Sequence, residues 1–586
     1  MAGRTDEIIS KHAAVYETLK KVRASKEVTL KPITMLRSEI RALDGSSHAL
    51  KIRYYQVQAI FHLMAMKRMV LGDATGTGKT LVLIASLCYT WEKEPDNKVI
   101  VVCPKSALRQ WAAEIDKFTT GITPYVVDGT ANERKQAYLE FALHEGPTKA
   151  VMLIGYAPLV RDWNLGAKPS PVVNGKADPS VPPELGVLDR ITARIPRLTV
   201  AFDEATAFKS NRTKTWQVCG ELSARASRCY GLTATLLKNH LIEGFSIYKV
   251  IYPQVFGTKS AFLRDYCVTR LQRVAGNRKI PIVVGYKNLQ GFRDRIDPFF
   301  LGRPKHEISS ELPTLITREV PCELSAAEDA KYEEALSGVL ALGDGDVKDY
   351  QDNKTLVSLI YCQKAVDSLS LLKYEAGDLV EVDALIADSP EVGSFAAKEQ
   401  ALLDLLTEEF GDEKVIVYCR FTSLITRLRK ICAEAGIESV EVSGRVVDTA
   451  SNPARKKAQE VFQDLESKVR VIFISDAGSE AINLQAASAM IFYNAPWSWG
   501  SYVQLLGRPI RIGSPHQHVV ALHLVAERPR ESVKQRKTID HYTLETLQKK
   551  KALIDKVLGE SAVGALEFDR GTSFAFELAT TLRSQR

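Results

Sequence analysis

The chain has 586 residues, of which 45% are hydrophobic, and its 78 Lys and Arg residues against 70 Asp and Glu residues give a net charge of +8. This length exceeds what one hydrophobic core usually serves, so we expect two to four domains. No apolar run approaches the roughly 20 residues that span a bilayer, and the amino terminus is too polar and acidic for a signal peptide, which excludes a membrane-spanning or secreted class. We therefore expect a cytosolic protein, or a nuclear one if the source is eukaryotic.

The cysteines and the net charge narrow the function classes only a little. The 9 cysteines form no C-x-x-C pair and lie mostly in apolar runs, which indicates reduced, buried thiols rather than zinc ligands or disulfides. The small excess of positive charge is compatible with a polyanionic partner but is also common in proteins that have none.

Short apolar runs alternate with longer amphipathic stretches, which predicts parallel sheets covered by helices. The first set of predicted strands is Arg68 to Leu71, Lys98 to Cys103, Ala150 to Ile154 and Leu198 to Phe202. The second set is Lys414 to Tyr418, Ser439 to Val442, Val469 to Ser475, Met490 to Asn494 and Val519 to Val525. The fold class is therefore α/β, with two domains in tandem. A helical linker region is expected between them, and a surface insertion is expected from Lys168 to Pro183.

A glycine-rich segment follows the first predicted strand. It consists of Asp73, Ala74, Thr75, Gly76, Thr77, Gly78, Lys79 and Thr80. A turn of this kind points several backbone N–H groups at one place, the lysine adds positive charge there, and the threonine hydroxyl can hold Mg²⁺. The pattern predicts a nucleoside triphosphate site, although Asp73 stands where the full phosphate-loop pattern has glycine. The alternative is an ordinary strand-to-helix turn.

Two further segments carry groups that phosphoryl transfer needs. Asp203 and Glu204 follow the strand that ends at Phe202, where the first carboxylate would hold Mg²⁺ and the second would polarise the attacking water. The alternative is a simple helix cap. Downstream, Arg508 and Arg511 are three residues apart and would share one face if helical, so that both could reach a γ-phosphate. The alternative there is a solvated surface pair.

The order of these segments carries a family resemblance. The matching segments are Ile52 to Gln56 for the Q motif, Asp73 to Thr80 for motif I, Val101 to Trp111 for motif Ia, Asp203 to Thr206 for motif II, Gly231 to Thr235 for motif III, Val415 to Cys419 for motif IV, Ser475 to Ala487 for motif V and Gln504 to Gly513 for motif VI. The chain resembles the superfamily-two helicases and, within them, the Swi/Snf-like ATPases that translocate on double-stranded DNA. Asn239 and Glu243 follow the Swi/Snf-like ending of motif III, and the segment Phe299 to Lys305 is closest to the annealing-helicase branch.

The resemblance implies two tandem RecA-like domains and a set of boundaries. We expect an amino-terminal helical extension over residues 1–45 and a first RecA-like domain over residues 46–310, with a helical insertion near residues 240–300. A helical linker region over residues 311–395, a second RecA-like domain over residues 396–530 and a carboxyl-terminal helix and tail over residues 531–586 follow. The economy of this plan suggests a bacterial, archaeal or phage protein.

The resemblance also assigns roles to individual residues, with ATP and Mg²⁺ as cofactors. The catalytic residues would be Lys79, Asp203, Glu204, Gln504, Arg508 and Arg511. ATP would be held by Gln56, which would read adenine, by Asp73 to Thr80, and by Gly478, Glu480 and Asn483, with Thr80 and Asp203 as the Mg²⁺ ligands. DNA would be contacted by Lys105, Ser106, Trp111, Tyr156, Arg420, Thr422 and Ser475. For Trp111 and Tyr156, core packing is the plainer alternative.

Three functions remain open from the sequence. The first is an ATP-driven translocase on double-stranded DNA that remodels DNA or displaces proteins, and Asn239 with Glu243 favours it. The second is a strand-separating or annealing helicase on branched DNA or RNA. The third is a nucleotide-dependent switch, which Glu204 and both arginines oppose. The expected partners are DNA, double-stranded or branched, and replication or recombination proteins, and we expect a monomer with no membrane partner.

Overall fold

A computed structural model describes residues 15–41, 47–167, 172–173, 176–177, 186–273, 279–303, 312–337, 339–341, 347–349, 356–375, 395–446, 454–476, 482–511, 513–530, 536–558 and 566–567. The chain divides into two compact units. The first unit is built mainly from residues up to Cys267 and from Tyr286–Ser309, and the second mainly from Ser310–Lys556. Among the described helices, none combines the length and the apolar character that a bilayer crossing requires.

The first unit contains a sheet of seven parallel strands. Its strands are β3 (Arg68–Leu71), β4 (Lys98–Cys103), β5 (Ile122–Val127), β6 (Lys149–Gly155), β9 (Leu198–Asp203), β10 (Arg228–Leu232) and β13 (Phe300–Leu301). Two hairpins are separate from this sheet: β1 (Glu39–Arg41) with β2 (Ser47–Ala49), and β7 (Val172–Val173) with β8 (Lys176–Ala177). The order across the sheet is β13-β3-β10-β9-β4-β6-β5, and every pair is parallel. Central strands of such a sheet are buried on both faces, which explains their continuous apolar runs.

Helices cover this sheet and connect its strands. They are α1 (15–24), α2 (Tyr54–Ala65), α3 (Lys79–Lys93), α4 (Leu108–Phe118), α5 (Ala131–Ala142), α6 (Tyr156–Trp163), α7 (Val187–Ala193), α8 (Lys214–Arg225), α9 (Leu241–Ile251), α10 (Lys259–Tyr266) and α11 (Leu289–Ile296). The strands β11 (Cys267–Arg273) and β12 (Lys279–Tyr286) separate α10 from α11. Several helices begin with a side-chain cap, for example Thr130 before α5, whose hydroxyl accepts from the backbone N–H of Glu133.

The second unit contains a sheet of six parallel strands. They are β14 (Thr314–Glu323), β17 (Val415–Tyr418), β18 (Ser439–Val442), β19 (Val471–Ile474), β20 (Ala489–Phe492) and β21 (His518–Glu527), in the order β14-β21-β20-β17-β19-β18. Two short strands, β15 (Val339–Ala341) and β16 (Val347–Asp349), form a hairpin, and β22 (Leu566–Glu567) joins β11 and β12 in a small separate sheet. The helices are α12 (Ala326–Ser337), α13 (Leu356–Asp367), α14 (Ala397–Asp404), α15 (Thr422–Glu434), α16 (Ala454–Gln463), α17 (Trp499–Leu506) and α18 (Ile539–Leu558).

These two parallel sheets confirm the predicted α/β fold with tandem domains. The predicted strands all exist, within two residues at each end. Four strands of the two large sheets were not predicted: β5 and β14 are half-exposed or exposed edge strands, β10 contains arginine and glycine, and β13 is only two residues long. The insertion predicted from Lys168 to Pro183 falls mostly outside the described residues, and the predicted domain boundaries stay predictions.

A buried network of charges joins separate segments of the second unit. The Lys398 ammonium lies 2.9 Å from an Asp367 carboxylate oxygen and 2.7 Å from one of Asp540, and the side chains of all three are at most 4% exposed. The other Asp367 oxygen accepts from the Asn494 amide at 2.6 Å. The network therefore fixes the end of α13, the start of α14, the start of α18 and the loop after β20 to one another, because an unpaired charge at this depth is strongly destabilising.

His523 is a titratable group in the core of the second unit. Its ring on β21 is stacked on Phe492, with the centroids 4.7 Å apart, and its Nε2 is 3.0 Å from the Tyr502 hydroxyl. Burial lowers the pKa of the His523 imidazole from 6.5 to about 4. Between these two pH values the unfolded chain binds a proton that the folded chain does not, so the free energy of unfolding falls as the pH falls through this window.

We predict that His523→Phe makes the second unit less sensitive to acid. For the unchanged protein, this imidazole should remove about 2 kcal/mol of the free energy of unfolding between pH 7 and pH 5, because the imidazolium is excluded from the core. The measurement is the melting temperature by circular dichroism at both pH values. The difference between the two pH values should shrink in the variant, and an equal difference would contradict the assignment.

Candidate functional site

The predicted site residues of the first unit follow neighbouring strands at one edge of its sheet. The strands β3, β10, β9, β4 and β6 lie side by side in this order. At or just after their carboxyl ends they carry, in the same order, Asp73 to Thr80, Thr233 to Thr235, Asp203 with Glu204, Lys105 with Ser106, and Tyr156. In open parallel sheets, ligands bind outside the carboxyl ends of the strands. The topology therefore gathers residues that are more than 150 positions apart in the sequence around one place.

The segment after β3 has the backbone of a phosphate-binding loop. Gly76 and Gly78 adopt left-handed conformations, with φ of 80° and 81°, which only glycine adopts without strain. α3 begins at Lys79, so its free N–H groups open onto the loop. The Lys79 ammonium donates to the carbonyl oxygens of Asp73 at 2.7 Å and Ala74 at 3.0 Å. The buried Thr75 hydroxyl oxygen has no hydrogen-bond partner among the described residues.

Gln56 supports this loop from α2. Its side-chain amide donates to the Thr77 carbonyl at 3.0 Å, while its oxygen accepts from the Arg53 backbone N–H at 2.9 Å. A Cβ atom at Gly78 would lie 2.5 Å from the Gln56 amide nitrogen. Gln56 therefore packs directly on the loop at a point where only glycine fits, and its predicted contact with adenine stays a prediction.

The predicted carboxylate pair lies at the end of β9. The Asp203 carboxylate accepts from the Trp111 indole N–H at 2.8 Å and from the Glu204 backbone N–H at 3.0 Å. Burial and the neighbouring Glu204 carboxylate raise the pKa of Asp203 to about 6. Glu204 is in the left-handed region, with φ of 51°, which is uncommon for a residue with a side chain. Such strain is typical of functional positions.

Trp111 and Tyr156, which the sequence predicts to bind DNA, both contact Asp203. The Trp111 side chain is buried, and the Tyr156 hydroxyl donates to the Asp203 carbonyl oxygen at 2.7 Å. The two aromatic residues therefore fix the position of Asp203 from α4 and α6. Contact of either residue with DNA stays a prediction. Lys105 and Ser106, by contrast, are exposed at the same edge.

The segment after β10 carries the Swi/Snf-like residues. The Glu243 carboxylate accepts from the backbone N–H groups of Lys238 at 2.6 Å and Asn239 at 2.9 Å. Glu243 therefore fixes the turn that leads from Thr235 into α9. The buried Thr235 hydroxyl and the Asn239 side-chain oxygen have no hydrogen-bond partners in the part of the chain that the structure describes.

In the second unit, the predicted DNA-binding residue Arg420 follows β17. Its guanidinium lies 3.9 Å from the centre of the Trp497 ring, and its backbone N–H donates to Asn494 at 3.0 Å. Its Nη1 atom is buried without a hydrogen-bond partner among the described residues. Ser475 follows the neighbouring strand β19, and its buried hydroxyl also has no hydrogen-bond partner among the described residues. Thr422 is half-buried at the start of α15.

The arginines of motif VI lie in a turn rather than on a helix. α17 ends at Leu506, and Gly507 with Pro509 prevents its continuation. The premise that a helix places Arg508 and Arg511 on one face is therefore wrong. The Arg508 guanidinium donates to the Ile482 carbonyl at 3.2 Å.

Arg511 is held by the same stretch of motif V as Arg508. It donates to the Asn483 side-chain oxygen and, at 3.3 Å, to the Ile482 carbonyl. Gln504 lies half-buried on α17. The predicted ATP ligands Gly478 and Glu480 lie outside the described residues, and the roles of Gln504, Arg508, Arg511 and Asn483 stay predictions.

Sequence reasoning missed Arg303, which holds Asp73 of the phosphate loop. The Arg303 guanidinium and the Asp73 carboxylate lie 2.6 Å apart, and both side chains are at most 5% exposed. The sequence does place Arg303 in a family-like segment, but 230 residues separate the two partners, and no local pattern links them.

The model of the SNF2-related domain matches residues 55–437, and that of the helicase conserved C-terminal domain matches residues 397–513. The chain belongs to the SNF2-related family. This membership confirms the predicted family.

The curated relatives of this SNF2-related chain are similar over most of its length. An uncharacterized ATP-dependent helicase of Mycoplasma pneumoniae is 23% identical over 87% of this chain and 42% of its own length. The DNA repair protein rhp54 of Schizosaccharomyces pombe is 23% identical over 76% of this chain and 51% of its own length. The mouse DNA annealing helicase and endonuclease ZRANB3 is 22% identical over 78% of this chain and 36% of its own length. This chain thus spans about a third to a half of these relatives.

Among solved structures, the Sulfolobus solfataricus SWI2/SNF2 ATPase core in complex with double-stranded DNA is similar. It is 20% identical, with a TM-score of 0.36, over 91% of this chain and 95% of that chain.

We predict that Gly78→Ala weakens nucleotide binding, because the added methyl group both strains the left-handed backbone and collides with Gln56. Gly121→Ala is the matched control, since Gly121 has a φ of 73° with nothing within 4 Å of an added Cβ. Each substitution should cost about 1 kcal/mol of stability through backbone strain. Only Gly78→Ala should raise the Kd of a fluorescent ATP analogue, and equal binding by both variants would contradict the role of this loop.

Proposed function

We propose that the chain is a motor that hydrolyses ATP to translocate on double-stranded DNA. It would thereby remodel DNA or protein–DNA complexes in replication, recombination or repair. The observation that carries the proposal is the gathering of the Lys79 loop and the Asp203–Glu204 pair at the carboxyl ends of β3 and β9, which are separated in the sheet by β10 alone. Phosphoryl transfer needs a positive cradle for the phosphates, and carboxylates that hold the metal and orient the nucleophile.

The residues present fit ATP and Mg²⁺. The left-handed glycines leave the loop backbone open to phosphate oxygens, and the Thr75 hydroxyl is buried without a partner among the described residues. Thr80 and Asp203 provide the oxygen ligands that Mg²⁺ prefers. When bound, Mg²⁺ would neutralise charge on the phosphate oxygens during transfer.

Each side chain then has a separate task. Lys79 exchanges its bonds to the Asp73 and Ala74 carbonyls for phosphate oxygens, so the loop is ready for an anion without rebuilding the backbone. Trp111 and Tyr156 keep Asp203 fixed. Glu204 orients the attacking water and accepts its proton, which is the task of a general base.

The chemistry of the second unit supports a contact with a nucleic-acid backbone. Arg420 has a buried N–H group without a hydrogen-bond partner in the described part of the chain. The hydroxyl of Ser475, which follows the adjacent strand β19, has no partner there either. Both residues follow neighbouring parallel strands, and N–H and hydroxyl groups are donors of the kind that contact phosphate oxygens. In the first unit, Lys105 exposes 80% of its side chain at the edge that carries Glu204. Contacts of this kind are independent of sequence, as translocation requires.

This function carries further expectations about the partners. We expect duplex or branched DNA as the substrate, replication or recombination proteins as possible protein partners, and a monomer as the working form. The working location would be the cytoplasm of a bacterial or phage-infected cell, or the nucleus in a eukaryote.

The test is the ATPase rate measured in parallel with duplex DNA, single-stranded DNA and RNA. Duplex DNA should stimulate the rate most, because the proposed contacts follow the backbone of a duplex. Glu204→Gln should lower kcat at least about a hundredfold while ATP still binds, since the amide cannot accept the proton.

Glu221→Gln on α8 is the matched control for this test. Its carboxylate accepts from the Trp163 indole in the same unit, away from the proposed site, so the ATPase rate should stay near that of the unchanged protein. Stimulation by RNA alone would contradict the duplex DNA assignment. An unchanged rate in Glu204→Gln would contradict the proposed chemistry.

A further inference from the structure

Asp73 of the phosphate loop is a buried carboxylate whose charge is matched by one arginine. Arg303 donates through Nε to one carboxylate oxygen at 3.0 Å and through Nη2 to the other at 2.6 Å. The Arg303 backbone N–H adds a third bond, at 3.1 Å. This bidentate geometry neutralises the charge of the carboxylate and also fixes its orientation. A lysine ammonium neutralises the charge but does not fix the orientation.

The segment around Arg303 runs alongside the loop itself. β13 is paired in parallel with β3, the strand that leads into the loop. The pairing continues beyond both strands, since the Gly72 N–H donates to the Leu301 carbonyl at 2.6 Å and the Ala74 N–H donates to the Arg303 carbonyl at 3.3 Å. The phosphate loop is therefore attached, residue by residue, to the segment from which the chain leaves the first sheet.

Gln58 connects the same arginine to the amino-terminal segment. Its side-chain oxygen accepts from Arg303 Nη1 at 2.6 Å, and its amide donates to the carbonyls of Arg23 at 3.0 Å and Ser25 at 2.7 Å. Arg303 Nη2 also donates to the Tyr55 carbonyl at 3.0 Å. All three nitrogens of the guanidinium therefore donate hydrogen bonds, which fixes the orientation of Arg303. The Q-motif helix α2 sets this orientation directly, and the end of α1 sets it through Gln58.

Asp73 also lies next to the lysine that would hold phosphate. Its carbonyl oxygen accepts from the Lys79 ammonium at 2.7 Å, while its carboxylate is bonded to Arg303. Asp73 is thus bonded both to Arg303, through its carboxylate, and to Lys79, through its carbonyl. A shift of Asp73 would move the carbonyl that holds Lys79 before phosphate binds, and it would also move the backbone N–H groups that follow.

We propose that Arg303 is a positioning residue of the nucleotide site, which holds the phosphate loop in its binding conformation through Asp73. Gln58 orients the guanidinium and thereby ties the loop to the amino-terminal segment. The proposal rests on the proposed function, because it concerns the affinity of that same site for ATP. It also gives Asp73 a role: the carboxylate that replaces a glycine of the full phosphate-loop pattern is the attachment point for Arg303.

The test compares the Kd of a fluorescent ATP analogue for the full-length unchanged protein and for Arg303→Gln, Asp73→Asn and the double variant. Each single variant leaves one buried charge without its partner, so each should weaken binding about tenfold. The double variant removes both charges and should bind no more weakly than the weaker single variant, because partners in one network are not additive. Arg303→Lys, which keeps the charge but not the two-pronged geometry, should also raise the Kd.

Arg134→Gln is the matched control variant. Arg134 forms a two-pronged pair with Asp162 in the same unit, at 2.6 Å and 3.0 Å, and the two side chains are 7% and 3% exposed, against 5% and 3% for Arg303 and Asp73. It lies near β5 and β6, at the opposite edge of the sheet from β13. Its loss should lower the melting temperature and leave the Kd unchanged.

Two different failures can be told apart. If the unchanged protein does not bind the analogue, the proposed function fails. If it binds and the folded Arg303 variants bind equally well, or lose affinity only as far as Arg134→Gln does, then Arg303 is merely structural and the inference is overturned. A double variant whose loss equals the product of the single losses would overturn the direct link through Asp73.

Discussion

The parallel arrangement of the strands is the constraint on which both units depend. In each sheet all strands end at one edge, so whatever follows them is gathered there regardless of distance along the chain. In the first unit this edge collects the Lys79 loop and the Asp203–Glu204 pair, and in the second it collects Arg420, Ser475 and Asn494. The buried faces of the strands supply the apolar packing that holds these strand ends in place.

Buried ion pairs then fix the loops that the sheets bring together. Asp73 with Arg303 in the first unit, and Lys398 with two aspartates in the second, each join segments that are distant in sequence. Such pairs do little for net stability compared with apolar packing, but losing one partner is strongly destabilising. They therefore specify one arrangement, which suits a site that has to present its groups at fixed distances.

Much of this architecture can be predicted from the sequence, for physical reasons. The strands at residues 68–71 and 98–103 have the predicted bounds because a short apolar run between turn residues has few alternatives. β5 and β14 were missed because edge strands are exposed and lack that signal. Arg508 and Arg511 would share one face only if helical, and this condition is not met because Gly507 and Pro509 end α17, which the arginine spacing alone does not reveal.

The long-range partners of the site are what the sequence leaves out. The motifs indicate Asp73, Asp203 and Trp111 as functional residues, but nothing local shows that Arg303 holds the first or that the Trp111 indole donates to the second. These contacts depend on which strands lie side by side, and the order of the strands in a sheet is not encoded in any short segment.

The central claim is that the nucleotide site lies at the carboxyl edge of the first sheet. The most direct measurement is the Kd of a fluorescent ATP analogue for the unchanged protein, Lys79→Ala and Lys98→Ala. Lys98 is the first residue of β4, at the amino ends of the strands and so on the side of the sheet opposite the proposed site. Its ammonium donates there to the carbonyls of Phe141 and Ala142. We predict at least about tenfold weaker binding for Lys79→Ala, because a charge-assisted contact with phosphate is lost, and an unchanged Kd for Lys98→Ala. Equal binding by Lys79→Ala and the unchanged protein, or an equal loss in both variants, would contradict the account.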